Sequence, residues 1–398
     1  MMLLRSSLQW QIFEQTGSAF YLGLIGAVQF APVLMLSPWA GAIADVHDRK
    51  RIVKLTFTGE ILCGLILWLV SAEGQTPLLA MYGAIGFLAV CVTFEAPAAS
   101  ALLPTLVPSE RFQSAVTVQS AVRGLGWVSG PVLTGFLVAD FGIEACYAAQ
   151  ILGGGLALAS FLPVSGPSPM STGRTVSLAA IREGIRFVRR RPVIWGPMTL
   201  DMFAVLFASV TVLLPVFAKE ILDVGPRGYG ILAGSLQAGQ YLMALWLIVR
   251  PPIAQPGRAL LSSVAIFGVA TVVFGLSRDF ILSIGALAVA GMADQISIIT
   301  RHTLIQLSTP DELRGRVSSV NLVFIGASNQ LGDVESGFLA ALTSATFTVL
   351  FGGVACLAVT GLIAWRIPAL RTWRPPASMT APASATGHAS EDRDRARG

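Results

Sequence analysis

Charge is what this chain lacks most. Of its 398 residues only 12% are Asp, Glu, Lys or Arg and 54% are hydrophobic; the charged share is about half that of a soluble domain. A water-facing fold built from this sequence would have no surface. Histidine is down to three residues and cysteine to four. Cys63, Cys91, Cys146 and Cys356 stand singly inside apolar runs, with no CxxC and no histidine nearby, so packing thiols are expected rather than a zinc site or a disulfide framework. No His, Cys or carboxylate set has metal-ligand spacing, and nucleophile motifs and phosphate-binding loops are missing too. These absences argue against an enzyme, a cofactor and ATP-driven work. Residues 1–15 carry Arg5, Gln9, Gln11 and Glu14 and so lack the uninterrupted apolar stretch of a cleavable signal peptide.

What is present is a succession of apolar runs of about 20 residues, the length at which a helix crosses a ~30 Å hydrocarbon core. Eleven are expected, near 19–44, 52–72, 77–102, 113–139, 143–164, 193–217, 228–249, 259–276, 280–302, 317–341 and 346–366. The fold class is therefore all-α, a polytopic membrane protein. The net charge of +5 is topological and does not point to nucleic acid. Cations gather in alternate connections (Arg49 to Lys54, Arg111, Arg186 to Arg191, Arg250, Arg258, Arg301, Arg314, Arg316, Arg371), while the others hold only Lys219, Arg227 and Arg278. The positive-inside rule then puts the basic connections and the C-terminus in the cytoplasm.

The densest of these connections is Gly41-Ala-Ile-Ala-Asp45-Val-His-Asp-Arg49-Lys50-Arg51. Its spacing, Gly-x3-Asp-x3-Arg-Lys, resembles the loop between the second and third helices of the major facilitator superfamily, the twelve-helix secondary transporters. Val46 stands where that loop commonly has a cation and Asp48 where glycine is usual. Three more blocks resemble the bacterial exporter branch of the superfamily: Thr93-Phe-Glu95-Ala-Pro97, Leu213-Leu-Pro215-Val-Phe217, and Gln306 to Val317 with Ser328 to Gly337. The likeness runs from Gln15 to Trp373. It implies two pseudo-symmetric helical bundles around a central site.

The chain divides accordingly into a bundle at 1–164, a linker at 165–192, a second bundle at 193–367 and a disordered cytoplasmic tail at 368–398. In the linker, Leu178, Ile181, Ile185 and Val188 recur at helical spacing among arginines, as in a helix lying on the inner membrane surface. The two halves look like repeats. Pro108 aligns with Pro310, Glu110 with Glu312, Gly124 with Gly326, Gly130 with Gly332, and Gly135-Phe-Leu137 with Gly337-Phe-Leu339. The second half has six spans and the first has five. Residues 1–15 are too short and polar to cross a bilayer and resemble the end of a truncated first helix; the alternative is a protein of eleven spans with its N-terminus outside.

Ionisable groups inside spans cost at least ~2.5 kcal/mol each and so point to a partner or a task. Glu95 and Arg123 sit at matching depths on consecutive helices and could pair, either permanently or only when no proton is bound. Asp201 and Asp294 have no obvious cation beside them. Glu95, Asp201 and Asp294 are the proton-coupling candidates. Arg123 and the stripe carrying Asn329 and Asp333 are the candidates for the substrate cavity. The resemblance further implies a conformational gate at Gly41, Asp45, Arg49, Arg314 and Arg316, in which Asp45 meets the inner end of the helix starting near Val317 and Arg49 binds an acid of the neighbouring helices. Gly126-x3-Gly130-Pro131-x3-Gly135 resembles a packing motif associated with antiporters, with its last glycine one position late. The expected protein is a monomer of the inner membrane that exports a small amphiphilic molecule, siderophore-like or drug-like, in exchange for protons. An importer, a lipid-handling facilitator and a transport-inactive scaffold are the alternatives.

Overall fold

The computed structural model describes residues 1–72, 74, 76–164, 178–250 and 253–373. Regular structure among the described residues is helical throughout: α1 (Met2–Thr16), α2 (Ala19–Val46), α3 (Arg49–Ala72), α4 (Leu78–Leu106), α5 (Phe112–Phe141), α6 (Ile143–Phe161), α7 (Leu178–Arg189), α8 (Pro192–Phe207), α9 (Leu214–Val216), α10 (Gly225–Ile248), α11 (Pro256–Leu276), α12 (Phe280–Leu307), α13 (Asp311–Leu342), α14 (Ala345–Arg366) and α15 (Pro368–Thr372). Among the described residues, ten helical segments are long and apolar enough to cross a membrane. The protein is an all-α, multi-pass membrane protein, and the expected apolar runs are helical apart from a break in the one at 193–217.

The short first segment is the surprise of the fold. Although α1 has 15 residues, roughly 22 Å of helix, it is not peripheral. Leu4, Leu8, Trp10, Ile12 and Phe13 are all buried in the largest core cluster. Its polar side chains are matched from surrounding helices, as buried polar groups must be. Gln11 donates to Thr76 (3.0 Å) and accepts from Tyr147, and Tyr229 donates to Gln9 (3.1 Å). Polarity that argues against membrane burial for an isolated helix is here the means of holding it among others.

Two helix pairs join the halves, α2 with α13 and α5 with α10. Both pairs meet through glycine. A Cβ on Gly23 would stand 3.0 Å from the Cα of Gly337, and one on Gly135 would stand 2.9 Å from the Cα of Gly230. Only backbone fits at either crossing, the arrangement that lets membrane helices gain dispersion contact where no hydrophobic effect drives association. Gly135 and Gly337 are equivalent in the sequence repeat, so the two crossings are related in the same way as the halves.

The span expected at 193–217 is broken. α8 stops at Phe207, residues 208–210 are non-helical, and the chain resumes through a 3-10 turn (Thr211–Leu213), α9 and a π turn (Phe217–Ile221). Pro215 has no N–H to donate to the carbonyl of Thr211. At the same level α13 and α14 press their glycines on the end of α8: a Cβ on Gly332 would lie 2.8 Å from the carbonyl oxygen of Val205, and Gly352 lies against that of Phe207.

The basic linker helix α7 is docked on the second half: Val188 is buried with Ile194, Met198, Ile305, Val317 and Val320, and Glu183 accepts from Arg316 of α13 at 2.6 Å. It brackets the basic ends of α8, α12 and α13. Residues 165–177 and 374–398, and the side chains of Asp45, Ile181 and Arg182, lie outside the described residues.

Candidate functional site

A cavity of about 720 Å³ lies between the two halves, within the size range of small-molecule sites. Its walls come from α1, α5, the α8–α9 break, α10, α11, α12 and α13. The lining runs along α5 from Gln119 to Pro131, along α10 from Ala233 to Ala244 and along α13 from Asn329 to Asp333. All of it therefore lies on one side of the Gly23–Gly337 and Gly135–Gly230 crossings, the side carrying Arg49 to Arg51. Toward that basic end the halves are not held by glycine contacts: a Cβ on Gly41 would meet nothing within 4 Å, and Met35 and Trp39 of α2 are exposed.

Charge in the cavity is balanced and unevenly partnered. Asp333 of α13 accepts from Ser209 (2.8 Å) and pairs with Arg5 (3.5 Å), which ties α13 to the helix break and to α1. The break follows the rule that irregular backbone at membrane depth survives where it lines a cavity. Asp294 of α12 accepts from Gln240 of α10 at 2.6 Å. Arg123 is exposed to the cavity and has no ion-pair partner among the described residues. Trp127 and Tyr241 add aromatic surface next to it.

The expected cavity residues Arg123, Asn329 and Asp333 are thus brought together, with Asp294 beside them. Glu95 and Asp201 are not in the lining. Glu95 and Arg123 do not form the expected ion pair: Arg123 turns to the cavity, and Glu95 of α4 faces Glu60 of α3. Asp201, expected to be without a cation, is 6% exposed and paired with Arg301 of α12, itself 2% exposed. Arg301 is consequently not one of the basic residues of a loop. The sequence pattern missed it because two helical turns separate it from Asp294 and its partner lies on another helix.

The gate candidates Arg49 and Arg316 and the packing glycines each make contacts of their own. Arg49 donates to the carbonyls of Ala44 (3.1 Å) and Ala101 (3.0 Å), joining α2 to α4, and Arg316 holds α7. In the glycine motif, Gly126 faces open space, a Cβ on Gly130 would stand 2.6 Å from Met2 of α1, and Gly135 makes the crossing with α10. One motif serves two different contacts, and its first glycine serves neither. Arg5, Gln9, Ser209, Gln237 and Gln240 went unrecognised in the sequence. The signal available for the last two was a pair of amides three residues apart in an otherwise apolar run.

The family model described as Major Facilitator Superfamily matches residues 1–332. The chain belongs to the major facilitator superfamily. It is 26% identical over 377 residues to a protein named enterobactin exporter EntS from Escherichia coli, covering 93% of this chain and 89% of that protein. It is likewise 26% identical over 371 residues to the enterobactin exporter of Citrobacter koseri, with 92% and 86% covered. Solved structures with the same fold include a nucleoside transporter, TM-score 0.71 at 13% identity over 92% of this chain and 95% of that one. Another is a POT family transporter in complex with 5-aminolevulinic acid, TM-score 0.69 at 14% identity, covering 92% and 96%. This member of the superfamily is a transporter and not an enzyme, handling small molecules within the membrane.

Proposed function

We propose that the protein exports a small amphiphilic molecule from the cytoplasm, in exchange for protons, by alternating access of the central cavity. The observation that carries this reading is the cavity itself: it is closed off on one side by the paired glycine crossings and extends toward the basic end, which the positive-inside bias assigns to the cytoplasm. That is the arrangement of a carrier waiting for cytoplasmic cargo. The unpaired guanidinium of Arg123 suits an acidic or polyhydroxylated group, Trp127 and Tyr241 suit a flat apolar part, and the cavity amides suit further polar groups. A siderophore-like or drug-like molecule has this composition, and the relatives named enterobactin exporters support the siderophore class.

Proton coupling rests on carboxylates placed where a charge is costly. Asp294 does so from within the cavity and Glu95 from the helix pair behind Arg123. Asp201 is better read as a structural acid, since it has Arg301. Alternating access then requires the glycine crossings to part while the basic ends, with Asp45 and Arg49 on one half and Arg314 and Arg316 on the other, come together.

Export is tested in cells deprived of the protein and loaded with siderophore or dye cargo. Intracellular retention should rise several-fold over the complemented strain. Lower accumulation in the deprived cells would mean import.

A further inference from the structure

α3 and α4 carry a second acidic feature, away from the cavity lining. Glu60 lies eleven residues from the basic start of α3, and Glu95 eleven residues from the basic end of α4, so at ~1.5 Å per residue both sit about 16 Å above that end. The helices are in close contact there. A Cβ on Gly59 would stand 3.2 Å from Cys91 Sγ, and Cys63 Sγ reaches the carbonyl of Ala84 at 3.9 Å. Glu60 is held between these levels at 7% exposure. Its Oε1 finds no hydrogen-bond partner among the described residues, and Glu95 is its acidic neighbour across the contact between α3 and α4.

Ionised carboxylates are acceptors only. Two of them cannot share a hydrogen bond, and a buried acceptor oxygen left without a donor carries a desolvation cost. Both difficulties vanish if one proton lies between them. We propose that Glu60 and Glu95 form a single proton-binding site, a carboxyl pair that holds one proton between α3 and α4.

The remaining ionisable groups facing the pair are few. Cys63 and Cys91 contribute from α3 and α4, the amino group of Met1 from α1, where Gln150 accepts from it at 3.0 Å, and Arg123 from α5. Neither cation is in ion-pair contact with either carboxyl group. Arg123 is the group shared between site and cavity, being within electrostatic reach of Glu95 and part of the cavity wall.

This inference rests on the proton-coupled reading, and its test does not require transport. A hydrophobic carbodiimide adds to protonated carboxyl groups in apolar surroundings, and the adduct is located by mass spectrometry in the full chain purified in detergent at neutral pH. The wild-type protein should take close to one label in total, shared between Glu60 and Glu95. In Glu60→Gln the amide donates to Glu95, which no longer needs the proton, and labelling of Glu95 should fall at least about tenfold. Glu95→Gln should do the same at Glu60. Glu60→Asp, which keeps the acid pair, should retain most of the label on Glu95. Full labelling of Glu95 in folded Glu60→Gln, or no label at either position in wild type, would overturn the proposal, whatever the protein transports.

Discussion

Asp201 and Arg301 show how one ion pair changes the reading of a residue. As an isolated acid in an apolar helix, Asp201 looks like a proton carrier; with Arg301 against it, the same carboxylate is the countercharge of a guanidinium that has no route to water. Removing one partner of such a pair costs ~3–5 kcal/mol because the other charge stays buried. Asp201→Asn should therefore lower the unfolding temperature in detergent by several degrees and reduce the yield of folded protein. Asp201→Ala combined with Arg301→Met should recover much of the loss. An Asp201→Asn protein with wild-type melting and no uphill transport would return Asp201 to the coupling machinery. Single residues were legible in the sequence where a charge interrupts an apolar run, as at Arg123, Asp294 and Asp333. They were illegible where the meaning lies in the neighbour, as for Arg5, which looks unremarkable until Asp333 is placed beside it at 3.5 Å.

Helices are the level at which the sequence speaks most plainly, because a bilayer demands runs of about 20 apolar residues and this chain supplies them at regular intervals. Three details have local causes. α1 is buried because other helices satisfy its amides; α8 stops short because glycines of α13 and α14 press on its end; α7 docks through Val188 and Glu183. Hydropathy registers none of these, since each depends on what lies opposite. The glycine crossings invite a direct comparison. Gly135→Leu or Gly337→Leu drives a side chain into the backbone of the partner helix, an overpacking cost of ~1–3 kcal/mol, and should lower the melting temperature by several degrees. Gly126→Leu, in the same helix as Gly135 but facing open space, should melt with the wild-type protein. Equal losses in Gly126→Leu and Gly135→Leu would show that the crossing is not what makes glycine necessary.

The molecule as a whole is two related halves that touch through two equivalent crossings, with a balanced polar cavity on the basic side of both. This symmetry is what allows a second arrangement of similar energy, because the contacts surrendered at one end have counterparts to be made at the other. The sequence announced it through the Pro108/Pro310 and Gly135/Gly337 matches. What it withheld was the cavity: lining residues from seven segments converge there, and no spacing within one helix encodes that. Coupling between cargo and proton is the property that unites these features, and it is measured most directly as flux into proteoliposomes holding purified protein, with cargo at equal concentration inside and out and a pH difference imposed across the membrane. The account predicts that cargo accumulates on the side from which protons depart, that collapsing the gradient abolishes accumulation, and that Asp294→Asn retains cargo binding while losing uphill movement. Cargo moving in the same direction as protons, or accumulating equally with no gradient, would contradict it.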